Sequence, residues 1–155
     1  MKSLLLPATH LMLTYRISHK LYSNKLTRPL GYLVYMLGRM IFSSDIHPAA
    51  KIGKGSHFAH HYNITIGYNA VVGENCKIFN GVTLGDDGTF NHTYPTVGDN
   101  VMLATGVKLI GDVKVGSDSV IGANAVVVKD IPPSSLAVGV PAKVLRTIKR
   151  DEFYR

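Results

Sequence analysis

The chain has 155 residues, 46% of them apolar, with 15 Gly, no Trp and a formal net charge of +7. That length suits one domain with a real core and excludes a disordered chain. The charge favours an anionic partner without choosing among nucleic acid, a membrane surface and a phosphorylated cofactor. The lone cysteine, Cys76, excludes an internal disulfide and makes a cytoplasmic protein the simpler reading.

At the N-terminus, Leu4-Leu5-Leu6 is too short for a secretory core and is followed by Pro7, Thr9 and His10. From Ala8 to Asn24, Leu11, Tyr15, Ile17, Ser18 and Leu21 fall at roughly helical spacing. Pro29 is expected to break the chain, and Leu30 to Phe42 reads as a second helix. That stretch is well short of the roughly 20 residues that cross a bilayer. The N-terminal face leans toward a membrane, but membrane contact is not expected.

From Ile46 the chain repeats. Ile46, Ile52 and Phe58 are six apart, two residues are inserted, and Ile66, Val72, Ile78 and Leu84 resume the step. After an interruption it runs through Val97, Leu103, Leu109, Val115, Ile121 and Val127. Gly often follows, as at Gly53, Gly73, Gly98 and Gly122. A small or β-branched residue stands four places on, as at Ala50, Ala70, Cys76, Val101 and Ala125. Neither a 3.6 nor a two-residue period gives this pattern, and a hexapeptide repeat is the signature of a parallel β-helix. The predicted architecture is mainly β: a left-handed parallel β-helix over 45–140 with an N-terminal helical cap over 1–44 and a tail over 141–155. In it three hexads make a triangular coil, the apolar residues stack inward, and Gly or Asn takes the corner angles. Residues 85–96 are too polar and too long for a corner and read as an excursion loop, the usual place for function. The tail after Pro141 reads as a short helix over the far end.

Four stretches resemble a known family. They are Tyr15-Arg16-Ile17-Ser18-His19, Asp45-Ile46-His47-Pro48-Ala49-Ala50, Gly81-Val82-Thr83-Leu84-Gly85 and Gly139-Val140-Pro141-Ala142-Lys143. The chain resembles the hexapeptide acyltransferases, and within them the serine acetyltransferase branch. The resemblance implies acetyl transfer from acetyl-CoA to a hydroxyl, with His60 as the base, Asp45 as its partner, and a homotrimer with sites between subunits. It also implies a coenzyme A groove. Ala104, Gly122 and Ala123 are candidates for its wall, and Lys143 and Arg146 for its phosphates.

The chemistry stands on its own. A hydroxyl attacking a thioester must lose its proton, and a neutral imidazole near pH 7 accepts it. A carboxylate on the other ring nitrogen fixes the tautomer. Backbone N–H groups near Gly85 and Asp86 are candidate oxyanion donors. His61 is the reserve base, or an acceptor contact with His92 and Tyr94 of the loop. No metal is expected: a carbonic-anhydrase-like site would need more than His57, His60, His61 and His92. No nucleic-acid partner is expected either. Cys76 reads as core.

Two departures bear on the acceptor. The family carries Asp before its catalytic His and Arg-His before the loop proline; here those places hold Ala59 and Thr93-Tyr94. With no evident ion pair for an amino acid, a saccharide hydroxyl is expected as acceptor. L-Serine, or a non-catalytic binding role, is the alternative.

Overall fold

The computed structural model describes residues 6–149 and 152. Helix α1 (Pro7–Ser23) and helix α2 (Arg28–Phe42) precede a stack of short strands. The first coil is β1 (Asp45–Ile46), β2 (Lys51–Ile52) and β3 (His57–Phe58); the second is β4 (Thr65–Ile66), β5 (Val71–Val72) and β6 (Lys77–Ile78). The third is β7 (Thr83–Gly85), β8 (Thr96–Val97) and β9 (Met102–Leu103), and the fourth β10 (Lys108–Ile110), β11 (Lys114–Val115) and β12 (Val120–Ile121). A last turn carries β13 (Val126–Val127), β14 (Ser135–Val138) and β15 (Lys143–Thr147).

Every third strand pairs in parallel, giving three faces: β1-β4-β7-β10-β13, β2-β5-β8-β11 and β3-β6-β9-β12-β14. The register aligns the hexad residues into columns. Ile46, Ile66, Leu84, Leu109 and Val127 form one, and Phe58, Ile78, Leu103, Ile121 and Ala137 another. All are buried. Cys76 is fully buried in the small-residue position, its thiol pushed up by burial. This is the left-handed parallel β-helix that the repeat predicts.

Glycine plays two roles where one was expected. The left-handed corner angles belong to residues such as Asn75, Gly81, Asn100 and Asn124. Gly73, which follows a core residue, is needed for closeness instead: a Cβ there would stand 2.6 Å from the Gly98 backbone of the next coil.

Two local expectations change. Pro29 lies in the first turn of α2, where its missing N–H costs nothing, and the break falls at 24–27. His19 of α1 donates from Nδ1 to the Pro48 carbonyl at 2.7 Å. The stretch after Pro141 is the strand β15, antiparallel to β14, and not a helix. A strand there pairs the sheet edge that a helix would leave open.

The cap is tied to the first coil through backbone groups with no preceding coil to pair them. The Tyr15 hydroxyl donates to the Ala50 carbonyl at 2.7 Å and accepts the Ile52 N–H at 3.2 Å. Arg16 donates to the carbonyls of Ile52 (2.5 Å) and Gly53 (2.7 Å). A second joint is the His47 ring, whose centroid lies within 6.0 Å of those of Tyr22, Tyr32, Tyr35 and Tyr68. Its Nδ1 accepts the Ala49 N–H. Burial pushes the His47 ring below its ordinary value, against a smaller upward pull from Asp45.

Tyr15→Phe leaves a buried carbonyl and N–H unpaired, and is expected to cost about 1–3 kcal/mol in urea unfolding; an unchanged midpoint would remove Tyr15 from the joint. His47 sets a pH dependence. The unfolded chain binds its proton more readily than the fold does, so this stability is fully present above about pH 6.5 and is lost as pH falls toward the lower folded value. The melting midpoint is expected to drop on acidification through that range, and to drop less in His47→Asn.

Candidate active site

The corner between β3 and β4 holds the two inserted residues, which makes it the one widened corner of its column. It carries His60 and His61. Ser44, which is buried, pins it: its hydroxyl donates to the His61 carbonyl at 2.9 Å and accepts the Ile64 N–H at 3.1 Å. Asn63 closes the turn in the left-handed region, its N–H on the Ser43 carbonyl. The backbone bends through this corner, and the two imidazoles have Tyr62 as a shared neighbour. His61 is half-buried, with Phe42 at 6.2 Å and Tyr62 at 5.6 Å. His60 is exposed, its ring 6.2 Å from those of Phe79 and Tyr62.

Asp45 stands where this corner ends, its N–H on the Ile64 carbonyl. Its carboxylate faces the cap. Oδ1 accepts the Tyr35 hydroxyl at 2.5 Å, and Oδ2 lies 3.3 Å from the Arg39 guanidinium. Burial, then the bond to Asp45, pushes the Tyr35 hydroxyl well up. Among the described residues, Asp45 makes no hydrogen bond to His60. Sequence reading missed both partners. The signal was available: Tyr35 and Arg39 are four apart on one helix, so they share a side.

Below His60 the same corner recurs on each coil. The register places Ala59, Phe79, Ala104 and Gly122 at one level of the corner, and His60, Asn80, Thr105 and Ala123 at the next. Thr105 donates to Asn80 along this column at 3.3 Å. The column ends at Gly139, where the chain reverses into β15 with Lys143 exposed. At coil steps of about 4.8 Å, four steps separate His60 from that end by about 19 Å. Three of the candidate groove residues, Ala104, Gly122 and Ala123, therefore lie in line with the candidate base. Arg146 is paired with Glu152 at 2.8 Å. On the cap side, an apolar groove of about 500 Å³ runs between Met12 and Leu13 of α1 and Phe58 and Ala59.

The remaining candidates sit elsewhere. Gly85, Asp86, His92 and Tyr94 belong to the corner between the first and second faces. There His92 Nδ1 meets Asp86 at 2.9 Å, and that bond, chiefly, holds the Asp86 carboxyl low. The Tyr94 ring lies against Gly67, where a Cβ would stand 2.3 Å from it. One chain does not bring these residues to His60, because a full face of the prism intervenes. For the same reason His57, His60, His61 and His92 do not gather at one point.

Known proteins resemble this chain in sequence and fold. The model of the bacterial transferase hexapeptide family (six repeats) matches residues 94–129. A serine acetyltransferase of Helicobacter pylori is 41% identical over 152 residues, which cover 96% of this chain and 85% of that protein. The crystal structure of Brucella abortus serine acetyltransferase in complex with coenzyme A aligns with a TM-score of 0.89 at 34% identity, covering 94% of this chain and 58% of that one. Soybean serine acetyltransferase complexed with serine gives 0.83 at 37%, covering 87% and 56%. The chain thus spans little more than half the length of these two solved relatives. By its repeat, its helical cap and its likeness across almost every residue, the chain belongs to the serine acetyltransferase family, whose members are acetyl-CoA-dependent O-acetyltransferases.

Proposed function

We propose that this chain moves the acetyl group of acetyl-CoA to an acceptor hydroxyl, with His60 as the base and L-serine as the acceptor. The observation that carries the reading is the corner descending from Ala59 and His60 past Ala104, Gly122 and Ala123 toward Lys143, in a chain so similar to serine acetyltransferases. Neutral His60 accepts the hydroxyl proton as the oxygen attacks the thioester carbonyl carbon. The tetrahedral intermediate collapses, the carbon–sulfur bond breaks, and the imidazolium returns its proton to the departing thiolate. The products are an acetyl ester and free coenzyme A, and His60 is neutral again.

Asp45 is assigned to hold the His60 ring. Its Oδ1 is tied to Tyr35, while Oδ2 carries only the Arg39 contact between two partly exposed side chains, which is weak. To hold it, Oδ2 must leave Arg39 and accept the second ring N–H of His60. At this corner Ala104, Gly122 and Ala123 leave room for the thioester's arm, and Lys143 offers the phosphates a cation that no carboxylate among the described residues holds. The loop groups Gly85, Asp86, His92 and Tyr94 reach a His60 only from another copy. That supports a homotrimer with shared sites, and the reading takes the cytoplasm as its compartment.

One observation favours a different acceptor. Ala59, Thr93 and Tyr94 carry no charge where the family holds an amino acid's ammonium and carboxylate. The saccharide acceptor that the sequence suggests is kept as the second reading on this ground alone; the comparisons support serine.

The test is free-thiol release from acetyl-CoA with L-serine, then with nucleotide sugars and oligosaccharides. Turnover on serine is expected, with His60→Ala slower by about 10²–10⁴-fold while coenzyme A still binds. Turnover on a saccharide alone moves the assignment to the second reading, and absence of coenzyme A binding leaves a non-catalytic module. Light scattering is expected to give three times the 16.9 kDa chain mass; a monomer that is fully active would remove the loop from the site.

A further inference from the structure

Helix α2 is apolar on both sides. Gly31, Tyr35 and Gly38 are buried, the two glycines against the backbone of Tyr22 and the side chain of Thr14 on α1. Its outer side presents Leu30, Leu33, Met36, Leu37, Met40 and Ile41, which remain 46–78% exposed. Leu26, in the turn between the helices, is 88% exposed and extends the row. The steps from 26 to 30, 33, 37 and 40 keep it on one side of the helix. A surface helix ordinarily turns charged residues to water, and a continuous apolar strip of this kind marks an interaction surface.

Charge identifies what covers it. Residues 1–44 contain Lys2, Arg16, Lys20, Lys25, Arg28 and Arg39 and no Asp or Glu. The other 111 residues hold eleven Lys/Arg and ten Asp/Glu, so six of the seven net charges lie on the cap. Arg16 is spent on Ile52 and Gly53, and Arg39 on Asp45. Lys20, Lys25 and Arg28 are exposed beside Leu26, Arg28 lying over the Tyr22 ring. A second copy on this face would bring an equally acid-free unit and no carboxylate for these cations. A bilayer rich in anionic lipid supplies what the face lacks, an apolar layer beneath negative headgroups. No helix among the described residues is long and apolar enough to cross a membrane, so the geometry is that of a helix lying in the surface.

We propose that the outer face of α2 and the α1–α2 turn dock on an anionic membrane surface. Leu26 and the α2 row enter below the headgroups, and Lys20, Lys25 and Arg28 meet lipid phosphates. The inference stands whichever acceptor the site uses.

The test is sedimentation of the full chain with phosphatidylcholine vesicles, with and without phosphatidylglycerol. Binding is expected only with phosphatidylglycerol, weakening by roughly tenfold or more at high salt or in Lys25→Glu/Arg28→Glu. Leu33→Glu/Leu37→Glu is expected to abolish it with an unchanged circular-dichroism melt; should that variant not fold, the Lys25/Arg28 variant carries the test. Wild-type chain that stays in the supernatant overturns the proposal, as does equal binding to both vesicles. So does a lipid-free assembly that Leu33→Glu/Leu37→Glu takes apart, because it gives the face to a second copy.

Discussion

A parallel β-helix must begin somewhere, and its first coil has no predecessor to pair its backbone. The rest of the molecule follows from how that edge is closed. The backbone groups of Ala50, Ile52 and Gly53 left without a preceding coil are met by Tyr15 and Arg16, whose side chains act where a strand would. A strand added at this edge would recruit further chains, whereas a helix offering side-chain partners ends the stack. Once α1 is fixed this way, α2 is held against it, and the two partners of Asp45 arrive on α2. The edge closure and the candidate site are therefore one construction, with His47 and its surrounding tyrosines as the hinge between them.

The coil geometry then decides what can act together. Identical register on every coil turns one corner into a line of side chains at a fixed spacing. This gives an extended cosubstrate a straight path without any dedicated domain. The same rule keeps the first-to-second corner apart from it. His92 and Asp86 have paired with each other at that corner. A loop at that corner can serve a His60 only on a neighbour, as the proposed trimer would have it.

The fold was legible because a six-residue step has no helical or hairpin explanation, and its thirteen apolar positions are the columns observed. The left-handed corners were half legible. Asn75 and Asn124 carry the angles, but glycines such as Gly73 report the closeness of the next coil, which no local rule displays. The strand β15 was misread because its need arises from the open edge of β14, a tertiary demand. At the site, His60 and the column residues could be placed by counting hexads. The surroundings of Asp45 could not, since Tyr35 and Arg39 reach it only after the cap has folded back. Ser44 was equally hidden: nothing in the sequence sets one serine apart as the clamp of the histidine corner.

Acceptor choice rests on a smaller set of atoms than the likeness to known proteins measures. The Ala59 N–H is fixed on the Ile78 carbonyl by the ladder, so its backbone is the same whether the side chain is a methyl or a carboxylate. Thr93 and Tyr94 lie on the excursion loop, outside the hexad columns, with the Tyr94 ring packed back against Gly67. Substitution at these three places changes the charge that an acceptor meets and leaves the columns, the corner clamp and the cap untouched. Identity of 41% therefore speaks strongly for the scaffold and the acetyl-transfer chemistry. The charge at positions 59, 93 and 94 acts on binding alone, because sites grafted on a fold vary independently of it. If serine is the acceptor, its ammonium and carboxylate must find partners other than those three. Arg39, on the cap side of Asp45, is a cation that the structure places in the hollow at the end of the histidine corner.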